Sequence, residues 1–107
     1  MATAPIADRE PALPAEAQPY RHLGPFDADA IPKGLWGRHA LKDGVWGMLS
    51  IEAGSIGFQW DDAQGGGRLL SAGDVLLIPP TVPHHLDHRG PVTITLAFCA
   101  IPETAAA

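Results

Sequence analysis

The sequence predicts an all-β fold, with six or more short strands in about 85 residues closing into a barrel or sandwich that limits unpaired edges. Three observations carry this. All twelve glycines lie between Gly24 and Gly90 and punctuate short apolar runs, the spacing of turns in a compact β domain. The runs themselves favour Val, Ile, Thr, Trp and Phe, residues that suit a pleated surface. No segment combines a sustained 3.6-residue apolar period with caps, so helix is expected to be scarce.

Taken in order, residues 1–19 contain six Ala and four Pro but no Gly or aromatic residue. They read as an extended leader that need not fold. The domain is expected over residues 20–102. Val45 to Ile51 and Ser55 to Trp60 flank Glu52-Ala53-Gly54 and predict a hairpin. Asp61 to Gly67 is a polar turn cluster, Arg68-Leu69-Leu70 a brief strand, and Ser71 to Asp74 another turn. Val75 to Ile78 is a strand that Pro79-Pro80 ends, because proline donates no ladder hydrogen bond. His84 to His88 resumes an extended path, and Arg89-Gly90-Pro91 turns it back into Val92 to Cys99, the clearest strand. Residues 103–107 are expected to fray.

The chain of 107 residues is 46% hydrophobic and 18% charged, which predicts one small soluble domain with a thin core that a homodimer would supplement. Its net charge of −5 opposes nucleic acid and anionic membrane as partners. A single cysteine, Cys99, rules out an internal disulfide and Cys-rich metal sites and suggests a reducing compartment. No apolar run reaches the ~20 residues of a membrane span, and no secretory signal is visible, so the expected location is cytoplasmic.

Gly73-Asp74-Val75-Leu76-Leu77-Ile78-Pro79-Pro80-Thr81-Val82-Pro83-His84 resembles the second signature of cupins, and Glu52-Ala53-Gly54 stands where cupins place a hairpin turn. Pro19-Tyr20, Ile31-Pro32-Lys33-Gly34-Leu35, Arg38-His39, Gly44-Val45-Trp46-Gly47, Pro79-Pro80, Pro83-His84 and Gly90-Pro91-Val92, in this order, resemble the small TehB/YeaR-like cupin family. The resemblance implies a single-domain cupin, an RmlC-like double-stranded β-helix or jelly-roll barrel, and a link to tellurite, oxyanion or reactive-nitrogen stress. Some relatives carry a following methyltransferase. Methyl transfer is not expected here, because Gly65-Gly66-Gly67 lacks the strand, turn and helix of a nucleotide-binding fingerprint.

Five histidines, three of them between His84 and His88, are the strongest cluster of metal-competent side chains, and neutral imidazole suits zinc, iron, copper and nickel. On an extended strand His84 and His88 share a face but stand ~13 Å apart, and His85 faces the other way. The run thus supplies at most one ligand. His84 is that candidate, at the position the cupin signature assigns to a ligand, and the resemblance adds His39. Family members carry an acidic residue aligned with Ala97, which the turn at Arg89 to Pro91 is expected to bring opposite His84. Alanine binds nothing, so Cys99, Asp43 and Asp87 are weaker substitutes, with a buried thiol, a turn former and a solvated charge as their ordinary roles. His22 is expected at the surface, and His88 in the barrel lining or beside a polar group. Trp36, Trp46, Trp60, Phe58 and Phe98 would fill the core or line an apolar pocket. Asp61-Asp62 does not read as an acid–base pair, since strand neighbours diverge and turn carboxylates are solvated.

Three functions compete. The leading one is a metal-binding cupin, with zinc or iron as the ion, that binds or senses a small molecule. A metal-free cupin for organic-ligand binding or dimerisation is favoured by Ala97. An iron dioxygenase is opposed by the missing carboxylate of the facial triad.

Overall fold

The computed structural model describes residues 4–102. Its strands are β1 (Gln18–Asp27), β2 (Trp46–Trp60), β3 (Gly67–Ser71), β4 (Val75–Ile78), β5 (His84–Asp87) and β6 (Val92–Ala100), all paired antiparallel. A single 3-10 turn, Lys33–Trp36, is the one helical element among the described residues. The all-β expectation holds, and β1 adds a strand that residue preferences had not singled out.

The expected hairpin over residues 45–60 is instead one continuous 15-residue strand. Glu52-Ala53-Gly54 bends β2 without reversing it. The register of β2 against β6 slips between Ile51 and Ala53, and Gly54 adopts φ +73° with the Pro91 carbonyl packed where a Cβ would stand. Such a bulge adds twist and lets a strand change sheets. The first half of β2 accordingly lies between β6 and β4, and the second half between β3 and β5.

Between the two halves lies the core. Leu49, Ile51, Ile56, Phe58, Trp60, Leu70, Leu76, Ile78, Leu86, Val92, Ile94 and Leu96 form one buried cluster. Strand alternation selects them: on β6, Val92, Ile94 and Leu96 turn in, while Thr93 and Thr95 are half-buried on the other face. Burying side chains of this size contributes ~1.5–3 kcal/mol each. The aromatic residues divide. Phe58 and Trp60 join this core, while Trp46 packs outside it with Leu77 and Cys99.

That outer cluster includes part of the leader, whose described residues lie as a strap across the outside of the sheet. Leu13 and Ala17 cover Trp46, Leu77 and Cys99, and the Trp46 indole donates to the Pro11 carbonyl at 3.0 Å. Ile6 bridges to Leu76 in parallel, accepting from Leu77 N at 2.8 Å and donating to Val75 O at 2.7 Å, which protects the free edge of β4. Arg9 forks onto Asp62 at 2.7 and 2.9 Å, donates to Gly65 O at 2.6 Å and lies 4.8 Å from the Trp60 ring centre. This fork holds the Asp62 carboxyl down at about 2. Asp8 pairs with Arg68. The strap shows no hydrophobic period because it follows a sheet face rather than forming an element of its own. Residues 103–107, where fraying is expected, lie outside the described residues.

Candidate functional site

His84 opens β5, and its side chain turns inward with Leu86, so that it is 2% exposed. The segment 37–41 runs alongside, because His39 and His84 exchange backbone hydrogen bonds at 3.0 and 2.9 Å as an isolated antiparallel bridge. Residues opposed in this way stand on one face. The two rings consequently meet, with centres 4.3 Å apart and planes inclined by 64°. Phe58 stacks under His84 at 5.2 Å and 16°, and Trp60 closes the far side at 6.1 Å.

The backbone also fixes which nitrogen of each ring is free. His39 Nδ1 is 2.8 Å from Gly37 O, and His84 Nδ1 is 2.8 Å from Val82 O. A carbonyl only accepts, so both Nδ1 atoms carry a proton, and in the neutral form of each ring Nε2 presents the lone pair. Neither Nε2 takes part in a described hydrogen bond. No described buried side-chain nitrogen or oxygen lacks a partner, which means that His84 Nε2 reaches open space. Burial, partly countered by the Val82 carbonyl, pushes His84 down to about 4, so it is neutral at pH 7.

The open space is a cavity of about 50 Å³ lined by Leu35, His39, Leu41, Gly47, Leu49, Phe58, Ile78, His84, Leu86, Leu96 and Phe98. Gly47 makes room for it: a Cβ there would come within 3.1 Å of Leu41 Cδ1 and 3.6 Å of Ile78 Cβ. A larger groove of about 500 Å³, bordered by Asp27, Asp29 and His88, is open to solvent and holds no paired imidazoles. The small cavity is the better site on chemical grounds, because both imidazole rings line it and all its other lining side chains are apolar.

The weaker ligand candidates go elsewhere. Ala97 does not come opposite His84: β6 pairs with β1 and β2, not with β5, and Ala97 stands between His22 and Met48. Leu96 and Phe98 are the β6 residues that line the cavity, which puts Ala97 and Cys99 on the outer face. Cys99 is 5% exposed in the outer cluster, and burial raises its pKa. Asp43 is an exposed turn residue beside Tyr20 and Ile101. Asp87 projects outward, 3.2 Å from His85 Nε2. Among the described residues, no group of three or more His, Cys, Asp or Glu side chains is placed to hold a metal. His22 is exposed as expected, and His88 is exposed with its ring 5.8 Å from Trp36.

Two imidazoles nevertheless suit an ion as donors. Neutral imidazole nitrogens are the donor type that zinc and iron accept, so His39 and His84 would be the residues to hold such an ion. The remaining positions would fall to water or a small molecule.

Sequence reasoning missed the outward partner of this site. His85 Nδ1 sits 2.6 Å from Asp61 Oδ2, and the hydrogen bond to Asp61 raises the His85 pKa, helped by the Asp87 charge. The alternation of β5 already implied that His85 faces away from His84, but only the fold brings Asp61 to it.

Fold and site together define a small all-β domain with a two-imidazole pocket. The chain belongs to the TehB-like domain family, whose description matches residues 21–96. Its fold is similar to the crystal structure of TehB from Haemophilus influenzae, with TM-score 0.74 and 20% identity over 81% of this chain and 32% of that one. It is also similar to a structural-genomics protein from E. coli strain K12, with TM-score 0.75 and 20% identity over 87% and 99% of the two chains. This chain therefore spans about a third of the Haemophilus protein and nearly all of the E. coli one. No curated protein matches it. No described helix is long and apolar enough to cross a membrane.

Proposed function

We propose that the chain is a cupin-type, jelly-roll ligand-binding module in which His39 and His84 hold one divalent transition metal, zinc or iron, and a small molecule completes the shell. The observation that carries this is the pair of Nε2 lone pairs, fixed by carbonyls at 2.8 Å on each Nδ1, in rings 4.3 Å apart. When bound, such an ion supplies a Lewis acid with open positions. The chain's own residues do the rest: Gly37 and Val82 orient the donors, Phe58 holds the His84 ring in place, and Leu35, Leu41 and Phe98 limit water. Family membership supports a setting in tellurite-related or similar oxyanion or reactive-nitrogen stress, in the cytoplasm. Tyr20, Leu69 and Ile101, 57%, 58% and 45% exposed, offer apolar area for a homodimer, which sedimentation at micromolar concentration tests.

A metal-free reading is favoured by one observation, the lack of a carboxylate among the cavity-lining residues. The same fact weighs against an iron dioxygenase, whose facial triad requires one. Elemental analysis of protein purified without an affinity tag, beside His84→Ala, separates the readings. Stoichiometric metal that the variant loses supports the metal centre. Metal-free protein whose melting temperature ignores a chelator overturns it and leaves the organic-ligand module.

A further inference from the structure

Trp60 packs against both the His84 ring and the leader, and it is 2% exposed. Its inner side meets Phe58 at 4.7 Å and 69° and His84 at 6.1 Å and 70°. The leader grips its outer side twice. The Arg9 guanidinium lies over the indole, 4.8 Å from the ring centre, and Asp8 Oδ2 accepts from the indole N–H at 3.4 Å, the one hydrogen bond of that group among the described residues. A cation on the face and an acceptor at the edge together fix an indole in tilt and rotation.

A second route runs through the backbone. Arg9 forks onto both Asp62 oxygens at 2.7 and 2.9 Å and donates to Gly65 O at 2.6 Å, with its side chain 9% exposed. Asp62 in turn accepts from Gly65 N at 3.0 Å. The loop pinned in this way is tied at its base, where Trp60 N donates to Gly66 O and Asp61 N to Pro83 O, both at 2.8 Å. Pro83 stands between His84 and Val82, whose carbonyl holds His84 Nδ1 at 2.8 Å. The rest of the leader acts elsewhere: Leu13 and Ala17 reach Trp46, Leu77 and Cys99, none of which lines the cavity.

We infer that Arg9, assisted by Asp8, is a positioning residue for His84: the leader completes the outer support of the site, holding Trp60 against the imidazole and fixing the turn that carries its Nδ1 acceptor. The inference rests on the reading above only in taking the His39–His84 pair as the site; it needs neither metal nor ligand. Without the fork, Asp62 and Gly65 O lose charge-assisted hydrogen bonds, the loop over residues 61–66 loosens, and Trp60 is free to tilt away from His84. Losing one such bond shifts a local closing equilibrium ~tenfold or more. A strap that merely added stability would act differently. It would raise the urea midpoint and leave the native His84 ring the same with or without it.

The test uses chelator-treated full-length protein at pH 7, in the parent, Arg9→Gln and Leu13→Ala. Nuclear magnetic resonance follows the His84 ring signals, the Trp60 indole N–H, and amide exchange at Asp61 and His84 relative to Ile94. The inference expects Arg9→Gln to move both sets of ring signals and to speed exchange at the two amides about tenfold relative to Ile94. Leu13→Ala, which loosens the other end of the strap, should leave the ring signals and the exchange ratios at their parental values. Asp62→Asn removes the partner of the fork and should reproduce the Arg9→Gln changes, and the two substitutions together should add little. Unchanged His84 and Trp60 signals in folded Arg9→Gln, or equal changes in Leu13→Ala, overturn the inference. Should Arg9→Gln not fold, Asp62→Asn is read in its place by the same criteria. Zinc uptake by the parent reports on the metal centre separately: protein that takes up no zinc loses the ion and keeps Arg9 in its role if the ring signals move.

Discussion

His84 and His85 are neighbours on β5, alike in residue type and in local sequence, yet they occupy opposite electrostatic settings. The His84 ring lies between Phe58, Trp60 and His39 with one backbone acceptor, and burial holds it neutral down to about pH 4. Outside, His85 sits between Asp61 at 2.6 Å and Asp87 at 3.2 Å, which favour its charged form. The strand's period of two puts one imidazole in an apolar cavity and the other in a carboxylate clamp. What differs is the set of partners that the fold carries to each face. Inside, the ring meets apolar and aromatic neighbours; outside, both ring nitrogens meet carboxylates.

Truncating the packing that supports the inner face should have the largest effect. Phe58 is 2% exposed and stacks on His84, so Phe58→Ala is expected to cost ~3–5 kcal/mol in urea unfolding. Gln59, the next residue on β2 and turned outward, should cost under ~1 kcal/mol as Gln59→Ala. Equal losses would mean that the inner face is not the packed one.

Acid should act next on the inner side. With its pKa depressed from 6.5 to about 4, His84 binds its proton more readily in the unfolded chain. Its contribution is complete above pH ~6.5 and disappears as the pH falls towards 4, a loss of about 3 kcal/mol. Urea midpoints of chelator-treated protein between pH 7 and 4 should show this, and His84→Phe should flatten the slope. An unflattened slope would place the acid sensitivity elsewhere. The same protonation blocks coordination, so any metal should leave over this range.

How far these settings were legible in sequence depends on the residue. His84 was singled out because motif position and strand alternation agree, and His39 because the resemblance supplied it, and the fold brings the two rings together; β4, β5 and β6 were legible because Pro79-Pro80 and Arg89-Gly90-Pro91 punctuate them. Glu52-Ala53-Gly54 was misread, since a Gly-containing triplet serves a hairpin or a sheet-switching bulge equally well and only its partners decide. Placing Ala97 against His84 assumed that β6 folds back onto β5; its actual partners, β1 and β2, invert the face. The strap was invisible because Arg9 and Leu13 gain their meaning from Asp62 and Trp46, 53 positions apart in the first case.

The inverted face of β6 can be tested by adding a carboxylate. Phe98→Glu would place an acid beside the His39–His84 pair, whereas Ala97→Glu would place one near Met48 on the outer face. Zinc affinity, measured by competition with a chelating dye, should rise at least tenfold, about 1.4 kcal/mol, in the first and stay level in the second. A gain from Ala97→Glu alone would restore the rejected orientation.

The smallest effect belongs to the outer histidine, and its sign is the informative part. Asp61 and Asp87 raise the His85 pKa above its ordinary 6.5, so the folded state holds this proton more tightly than the unfolded chain does. The resulting stabilisation is complete below pH ~6.5 and is lost as the pH rises through the folded pKa, the reverse of His84. With the His85 side chain 24% exposed, solvent limits it to a few tenths of a kcal/mol. His85→Gln should therefore lower the melting temperature slightly at pH 6 and less at pH 9, because the proton is lost as the pH rises. A variant that loses stability equally at both pH values would show that His85 serves through its ring contacts and not its charge, and the electrostatic contrast between the two faces of β5 would reduce to one of burial.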